Sequence, residues 1–235
     1  MKLKSFLFLC LSFLILNSSL LITHATVRFV SKAGTSTAPY TSWQTAADSI
    51  QKCINICVDG DTIYVANGIY KEALAIYPAI TLLGSSMDST VIDGTGINGI
   101  VTTRITIQIF NSVVIENFKI FGKELNNFAS AIELEGNDYF KIKNCRITNA
   151  YSGIIAGITD CEFVNLILYN INYIGLGAYS LPQFTNYYLY HNNIIRVNSS
   201  DGTLIGEAGE GIHTITNNIL LSNQNSMAID LEYEK

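Results

Sequence analysis

The chain has 235 residues, of which 49% are hydrophobic and only 14% are charged. A chain of this length and hydropathy buries enough apolar surface to offset the entropy lost on folding, which excludes intrinsic disorder. Its formal net charge is −5, and Lys and Arg form no run. The basic surface that nucleic acids require is therefore not expected, and neither is a nucleic-acid partner.

The first 25 residues have the pattern of a signal peptide. Lys2 and Lys4 precede an apolar run that extends from Phe6 to Leu16, and Ala25 supplies a small residue for cleavage. A membrane-spanning helix needs about 20 apolar residues, whereas Asn17 interrupts this run earlier. We expect a secreted or cell-surface protein with no membrane association after cleavage, and a retained N-terminal anchor is the alternative.

One amphipathic helix is predicted within an N-terminal segment, residues 26–60. Thr41 to Gln44 has the spacing of a capping box, and an apolar stripe at helical spacing runs from Trp43 to Cys57. The turn residues Asp59 to Asp61 end the pattern. Such a helix is suited to cover the exposed end of the fold that follows.

Four cysteines follow the predicted cleavage site, at positions 53, 57, 145 and 161. An even number permits disulfides in an exported protein. Their spacing is too wide for the dense framework of a small disulfide-rich domain, which a chain of this size does not need. Buried free thiols are therefore the interpretation that we favour.

From residue 61 onwards the sequence repeats a short pattern, in which two apolar residues at alternate positions are followed by Asn and a further apolar residue. Alternation of this kind predicts a strand with one buried face. Six intervals between residues 67 and 217 average 25 residues, which is too short for a strand–helix–strand unit. The repeated residue is Gly84 once and otherwise Asn67, Asn117, Asn144, Asn165, Asn192 and Asn217.

Stacked repeats of this length predict an all-β, single-stranded parallel β-helix of about seven coils over residues 61–235. Each strand would pair with its counterparts about 4.8 Å above and below. The recurring Asn would then form a column, an asparagine ladder, in which the side-chain amides hydrogen-bond to one another. The open end of such a stack must be covered, which is the role predicted for the N-terminal helix.

The chain resembles the right-handed parallel β-helix proteins of the pectate-lyase-like superfamily. The resemblance is carried by Phe29 to Gly34, by Asp59 to Glu72, by Val91 to Gly94 and by the Asn-centred repeats. It implies a right-handed β-helix over essentially the whole mature chain. Members of the superfamily include polysaccharide lyases, glycoside hydrolases and esterases, and also surface proteins without known catalysis, so the fold alone does not give the reaction.

Residues for catalysis are sparse. The paired aspartates and the Gly-His-Gly and Arg-x-Lys signatures of pectin-type hydrolases do not occur. A lyase needs a cationic base, and the candidates are Lys119, Lys143 and Arg146. In register, Lys143 lies over Glu116 and Arg146 over Lys119, so the alternative is a solvated face with weak ion pairs.

Other candidate residues would bind ligands. Asp201, Glu207 and Glu210 lie in a glycine-rich segment and could hold Ca²⁺, although the spacing is not that of a defined calcium loop. Aromatic rings with hydroxyl tips suit sugar rings, and packing is the alternative role for them. The candidates for carbohydrate binding are Tyr169, Tyr173, Tyr179, Tyr187 and the outward-facing His191.

These observations lead to a hypothesis about function. We expect a β-helix that binds an extracellular, acidic polysaccharide and cleaves it by β-elimination if it is an enzyme. The alternative is a non-catalytic surface, adhesion or structural module. We expect either a monomer or a part of a longer chain. The second alternative rests on residues 228–235, which read as a strand with no cap after it.

Overall fold

The computed structural model describes residues 24–97, 105–123, 129–135, 139–157, 160–179, 186–199, 202–208, 211–221 and 227–232. The predicted signal peptide lies almost wholly outside these residues. The elements in chain order are β1 (Val27–Val30), α1 (Ile50–Ile54), β2 (Thr62–Val65), β3 (Gly68–Tyr70), β4 (Leu74–Ile76), β5 (Ile80–Gly84), β6 (Thr90–Asp93), β7 (Ile107–Ile109), β8 (Val113–Glu116), β9 (Lys119–Phe121), β10 (Ser130–Leu134), β11 (Tyr139–Lys143), β12 (Arg146–Ala156), β13 (Asp160–Val164), β14 (Ile167–Tyr179), β15 (Asn186–His191), β16 (Ile194–Val197), β17 (Thr203–Ala208), β18 (Gly211–Thr216), β19 (Ile219–Leu221) and β20 (Met227–Glu232).

The first sheet stacks strands from successive coils in parallel. Its order is β1-β2-β5-β8-β11-β13-β15-β18, so seven of the described strands in it follow the helix. Every second residue points inward, because side chains alternate between the faces of a strand. One inward column is at most 1% exposed over six successive strands, and its members there are Ile63, Leu82, Ile115, Ile142, Phe163 and Tyr190.

The second sheet has two columns of strands that meet in long strands. One column runs through β3, β6 and β9 into the first half of β12, and the other through β4, β7 and β10 into its second half. β14 continues both columns. The chain therefore alternates between the two sheets around one buried apolar core, and this confirms the prediction of an all-β, parallel β-helix fold.

The N-terminal helix is shorter than predicted. α1 covers only Ile50–Ile54, and its N-cap is Ser49, not Thr41. The preceding segment pairs instead with β1 and the residues after it, because Ala47 N–H donates to Phe29 O and Thr35 N–H donates to Gln44 O. These backbone bonds compete with helix formation.

α1 nevertheless lies against the start of the solenoid. Ile50, Cys53 and Ile54 are buried in the core. Gln51 donates to Ala75 O and accepts from Ala75 N–H, at 3.1 and 2.8 Å, so it occupies the open edge of β4. No helix among the described residues is long and apolar enough to cross a membrane.

Five of the six predicted ladder residues share one position in the coil, directly after the last residue of a strand of the first sheet. Each has a positive φ between 51° and 66°, the left-handed region that Asn tolerates. Asn165 Nδ2 donates to Asn144 Oδ1 at 3.0 Å, and Asn144 Nδ2 donates to Glu116 Oε1 at 3.0 Å. The five residues are Asn117, Asn144, Asn165, Asn192 and Asn217.

Asn67 lies outside this column. Register pairs Val65 with Gly84, and Leu83 with Glu116, so Val65 occupies the place that the sequence pattern assigns to Asn67. Asn67 Oδ1 instead accepts from the Thr90 hydroxyl at 3.0 Å. The alternating apolar pattern fits at either of two offsets here, because a strand repeats every two residues.

Two further rows of amides lie beside the ladder. Asn193, which is fully buried, accepts from Leu166 N–H and donates to Phe163 O, both at 2.9 Å. On the next bend Asn170 donates to Asn149, and Asn198 donates to Asn170 at 2.8 Å. Side-chain amides that link successive coils thus hold both the bend between the two sheets and the bend between the two columns of the second sheet.

The described cysteines are free thiols, and Cys53, Cys145 and Cys161 are buried. Burial raises the pKa of Cys145 to about 12, so its thiol stays protonated. Phe118, Cys145 and Leu166 occupy the same position at the start of the bend on three successive coils, and all three are buried. Cys145 therefore acts as a small apolar residue of the core.

Candidate functional site

The structure holds the three candidate bases against protein groups. Lys143 Nζ lies 3.2 Å from Glu116, and Arg146 lies 2.7 Å from Asp88. The Lys119 ammonium lies 4.9 Å from the centre of the Phe121 ring. Lys143 lies at the end of a strand of the first sheet, whereas Lys119 and Arg146 are register partners on the second sheet, as the spacing predicted.

The candidate aromatic residues divide between two sheets. Tyr187 and His191 lie on β15, and His191 Nδ1 is 2.7 Å from the Thr216 hydroxyl. Tyr169 and Tyr173 lie on β14, where Tyr173 stacks on Tyr151 with 5.2 Å between the ring centres. They therefore do not form a single wall of a groove.

Part of the predicted set falls outside the described structure. Asp201 and Glu210 are not described, and neither are the side chains of Tyr179 and Glu207. Among the residues that are described, no three His, Cys, Asp or Glu side chains lie close enough together to hold a metal ion. The calcium site remains a prediction.

The second sheet brings together polar and aromatic side chains that the sequence patterns do not single out. Register places Gln108 of β7 opposite Glu133 of β10. The residues that follow these strands and β4 are also aligned, because Phe110 N–H donates to Ile76 O and Glu135 N–H donates to Ile109 O, at 2.9 and 2.8 Å. We call this set the second-sheet site, and it comprises Tyr77, Gln108, Phe110, Glu133 and Glu135.

Two parallel rings form the aromatic part of the second-sheet site. The rings of Tyr77 and Phe110 are 4.6 Å apart with an angle of 4° between their planes. Tyr77 is 57% exposed. A ring that is fixed by stacking and open to solvent offers apolar area together with a hydroxyl group.

The polar part of the site is a carboxylate pair with a carboxamide. The Gln108 side-chain amide donates to Glu135, and Gln108 is only 5% exposed. Burial and the negative charge of Glu135 raise the pKa of Glu133, against the effect of a hydrogen bond with Ser130. A partly desolvated carboxyl next to a second carboxylate can hold a proton that an isolated glutamate would lose.

The sequence contains only a weak signal for this site. Gln108 interrupts an apolar run, and Glu133 and Glu135 alternate with apolar residues on one strand. The pairing of these strands cannot be obtained from that pattern, since the intervening segments differ in length from coil to coil. That these residues lie on neighbouring coils can be recognised only once the register of the strands is known.

Comparisons with known proteins find similarity only to solved structures of low sequence identity. No protein-family model and no curated protein sequence matches the chain. Solved structures that are similar include a pectin methylesterase in complex with a hexasaccharide, with a TM-score of 0.37, 12% identity, and coverage of 83% of this chain and 68% of that one. Pectin methylesterase PemA from Erwinia chrysanthemi has a TM-score of 0.37 and 14% identity, over 80% of this chain and 70% of its own. Pectin methylesterase from carrot has a TM-score of 0.37 and 10% identity, over 79% and 85%.

Proposed function

We propose that the protein is an extracellular polysaccharide-binding β-helix and that the second-sheet site binds the sugar chain. The observation that carries the proposal is the alignment of the Tyr77–Phe110 stack with Gln108 and Glu135 across neighbouring coils. A sugar ring presents an apolar face to an aromatic ring and hydroxyl groups to carboxylate and amide groups. The site offers both kinds of contact on one rigid surface.

The charges of the site favour neutral or esterified sugars over free uronates. Glu133 and Glu135 are close enough for the charge of Glu135 to raise the pKa of Glu133. A uronate carboxylate placed beside them would add a third like charge. We therefore expect a polysaccharide whose carboxyl groups are absent or esterified, and not the acidic polysaccharide that the sequence suggested.

Binding without β-elimination is the form of the proposal that the contacts support. A lyase base must be free to take a proton from the substrate. Lys143 and Arg146 are in ion pairs, and Lys119 lies against an aromatic ring. We propose the non-catalytic module on this ground.

The test is calorimetric titration with xylan, galactan, methyl-esterified pectin and polygalacturonate. Tyr77→Ala should weaken binding at least tenfold. Tyr64→Ala is the matched control, because Tyr64 is also exposed and stacked on a phenylalanine, Phe29, but lies on the first sheet. Equal losses in the two variants would contradict the proposal, and so would stronger binding of polygalacturonate than of the esterified form.

A second measurement tests the absence of cleavage. The polysaccharides are incubated with the protein, and the absorbance of unsaturated uronate is followed. No increase is expected. An increase that Lys143→Ala or Arg146→Ala abolishes would show that the protein is a lyase.

A further inference from the structure

The first sheet carries a second group of exposed aromatic side chains on its outward face. Tyr139 pairs with Asp160 in register, and Asp160 Oδ1 accepts from Tyr187 N–H at 2.8 Å. Three adjacent strands, β11, β13 and β15, therefore place Tyr139, Asp160 and Tyr187 in one row. With about 4.8 Å between strands, the two tyrosines start about 10 Å apart, with the carboxylate between them.

The two tyrosines are open to solvent but not equally free. Tyr139 is 42% exposed and Tyr187 is 58% exposed. Partial burial and a hydrogen bond from Tyr139 to Glu162 raise the pKa of the Tyr139 hydroxyl. Glu162 in turn has a lowered pKa, because it is hydrogen-bonded to Lys141 as well as to Tyr139. Tyr139 is thus held in place by a side chain of the neighbouring coil.

The row borders a shallow cavity of about 220 Å³, which has room for one sugar ring. Its lining combines the tyrosines with Asp160, Glu162 and the apolar residues Leu189 and Ile212. No described Lys or Arg lines the cavity, and Lys141 is paired with the lining residue Glu162. The free hydrogen-bonding capacity of the cavity is therefore that of acceptors and hydroxyl groups, which suits an uncharged ligand rich in hydroxyls.

We propose that Tyr139, Asp160 and Tyr187 form a second saccharide-binding site, in which one neutral sugar unit lies over Asp160 between the two tyrosine rings. This site lies on a different sheet from the second-sheet site and uses none of its residues. One chain would then bind two glycan segments. A protein that binds at two sites can hold two polysaccharide strands together or gain avidity on one strand.

The experiment is calorimetric titration with neutral hexasaccharides derived from cellulose, xylan, mannan and galactan, and with hexagalacturonate as the charged comparison. For the neutral ligand that binds, the wild-type stoichiometry should be two per chain. Tyr187→Ala should reduce it to one, whereas Tyr77→Ala should remove the other site and leave this one. Tyr64→Ala should leave both. Since Tyr187 is more than half exposed, its truncation should not disturb the fold, and far-ultraviolet circular dichroism checks this.

Each outcome separates this inference from the proposed function. A stoichiometry of one that only Tyr77→Ala abolishes would overturn the second site and leave the proposed function standing. A stoichiometry of one that only Tyr187→Ala abolishes would support this site and overturn the assignment of the second-sheet site. Two sites with tighter binding of hexagalacturonate would overturn the neutral specificity inferred here. No binding of any hexasaccharide would overturn this second site, while the titration with methyl-esterified pectin still tests the proposed function separately.

Discussion

The side-chain amide of Asn165 donates to Oδ1 of Asn144 on the preceding coil at 3.0 Å, and both residues have left-handed backbone, with φ of 53° and 51°. Each Asn therefore does two things at the bend. It tolerates a conformation that costs most L-residues about 1–2 kcal/mol. It also links the coil to its neighbour by a hydrogen bond.

Two substitutions of Asn165 separate these contributions. Asn165→Ala should lower the free energy of unfolding by about 1–2 kcal/mol, because alanine pays the cost of the left-handed backbone. Asn165→Gly keeps that backbone without strain and loses only the amide bond, so it should cost less. Equilibrium urea unfolding measures both. If the alanine variant is as stable as the glycine variant, the backbone conformation is not what selects Asn at this position.

The ion pair between Arg28 and Asp61 predicts a dependence of stability on pH. Arg28 Nε lies 2.9 Å from Asp61 Oδ2, and the two side chains are 9% and 0% exposed. Burial alone would raise the pKa of Asp61, but hydrogen bonds from Thr26 N–H, Arg28 and Val58 N–H outweigh it and lower the pKa. A lowered folded-state pKa gives stability that is present above the ordinary aspartate value of about 4. That stability is lost as the pH falls through the folded-state value.

Asp61→Asn should therefore cost about 3–5 kcal/mol at neutral pH, because it leaves a buried guanidinium without its counter-charge. The cost should shrink as the pH falls below the ordinary aspartate pKa. Urea unfolding at several pH values gives the difference. Asp48→Asn is the control, since Asp48 is 55% exposed and its pair with Lys52 should contribute less than about 1 kcal/mol. A cost for Asp61→Asn that does not change with pH would contradict this account.

Glu72 caps α1 from the following coil. Its carboxylate accepts from the Ser49 hydroxyl, from Ile50 N–H and from Gln51 N–H, at 2.8, 2.9 and 3.0 Å. Glu72→Ala should lower the free energy of unfolding by about 1–2 kcal/mol, as the loss of a helix N-cap does. Trp43, the sole tryptophan, lies close to this end of the solenoid and contacts Phe29 with 4.6 Å between the ring centres, so its fluorescence reports unfolding there. Lys71→Ala, an exposed neighbour, should have little effect, and an equal loss in both variants would argue against the cap.

The parallel strands were predictable from local sequence, and the register between them was predictable only in part. Alternating apolar residues select one buried face, so Ile115, Ile142 and Phe163 point inward as the pattern requires. The first coil shows the limit. The pattern of Asn67 fits at two offsets that differ by one strand period, and the pairing of Val65 with Gly84 selects the other. The predicted helix was too long for a related reason, because backbone pairing around Ala47 outweighs the helical spacing of the apolar residues.

The second-sheet site was not predictable from a local motif. Tyr77, Gln108 and Glu135 come from three coils and are separated by segments of unequal length. Their proximity depends on the pairing of β4, β7 and β10. This pairing is determined by packing over the whole core and not by any short sequence pattern. The spacing of the candidate cations predicted that Lys143 lies over Glu116, and these two side chains form an ion pair. It did not predict Asp88 as the partner of Arg146.

Replacing Glu133 and Glu162 by Gln, one at a time, should change the thermal stability of the protein in opposite directions. Burial raises the pKa of Glu133, so this group favours the folded state below its unfolded pKa and loses that contribution as the pH rises through its folded-state value. Its ionised form therefore destabilises the fold at neutral pH. Glu133→Gln removes that charge and keeps an acceptor for Ser130, so the midpoint of thermal unfolding at neutral pH should rise. Polysaccharide binding at the second-sheet site should weaken, because a carboxylate that accepts sugar hydroxyls is lost.

Glu162→Gln is the matched control for Glu133→Gln. Lys141 and Tyr139 lower the pKa of Glu162, so its charge stabilises the fold above the ordinary glutamate value, and the substitution should lower the midpoint of thermal unfolding at neutral pH. Differential scanning calorimetry at neutral pH and near pH 4 measures both variants, and the two effects should converge as the carboxyls of the wild type become protonated. If Glu133→Gln lowers the midpoint as Glu162→Gln does, then the charge of Glu133 stabilises the fold. Glu133 would then not be a destabilising carboxylate that is kept for ligand binding.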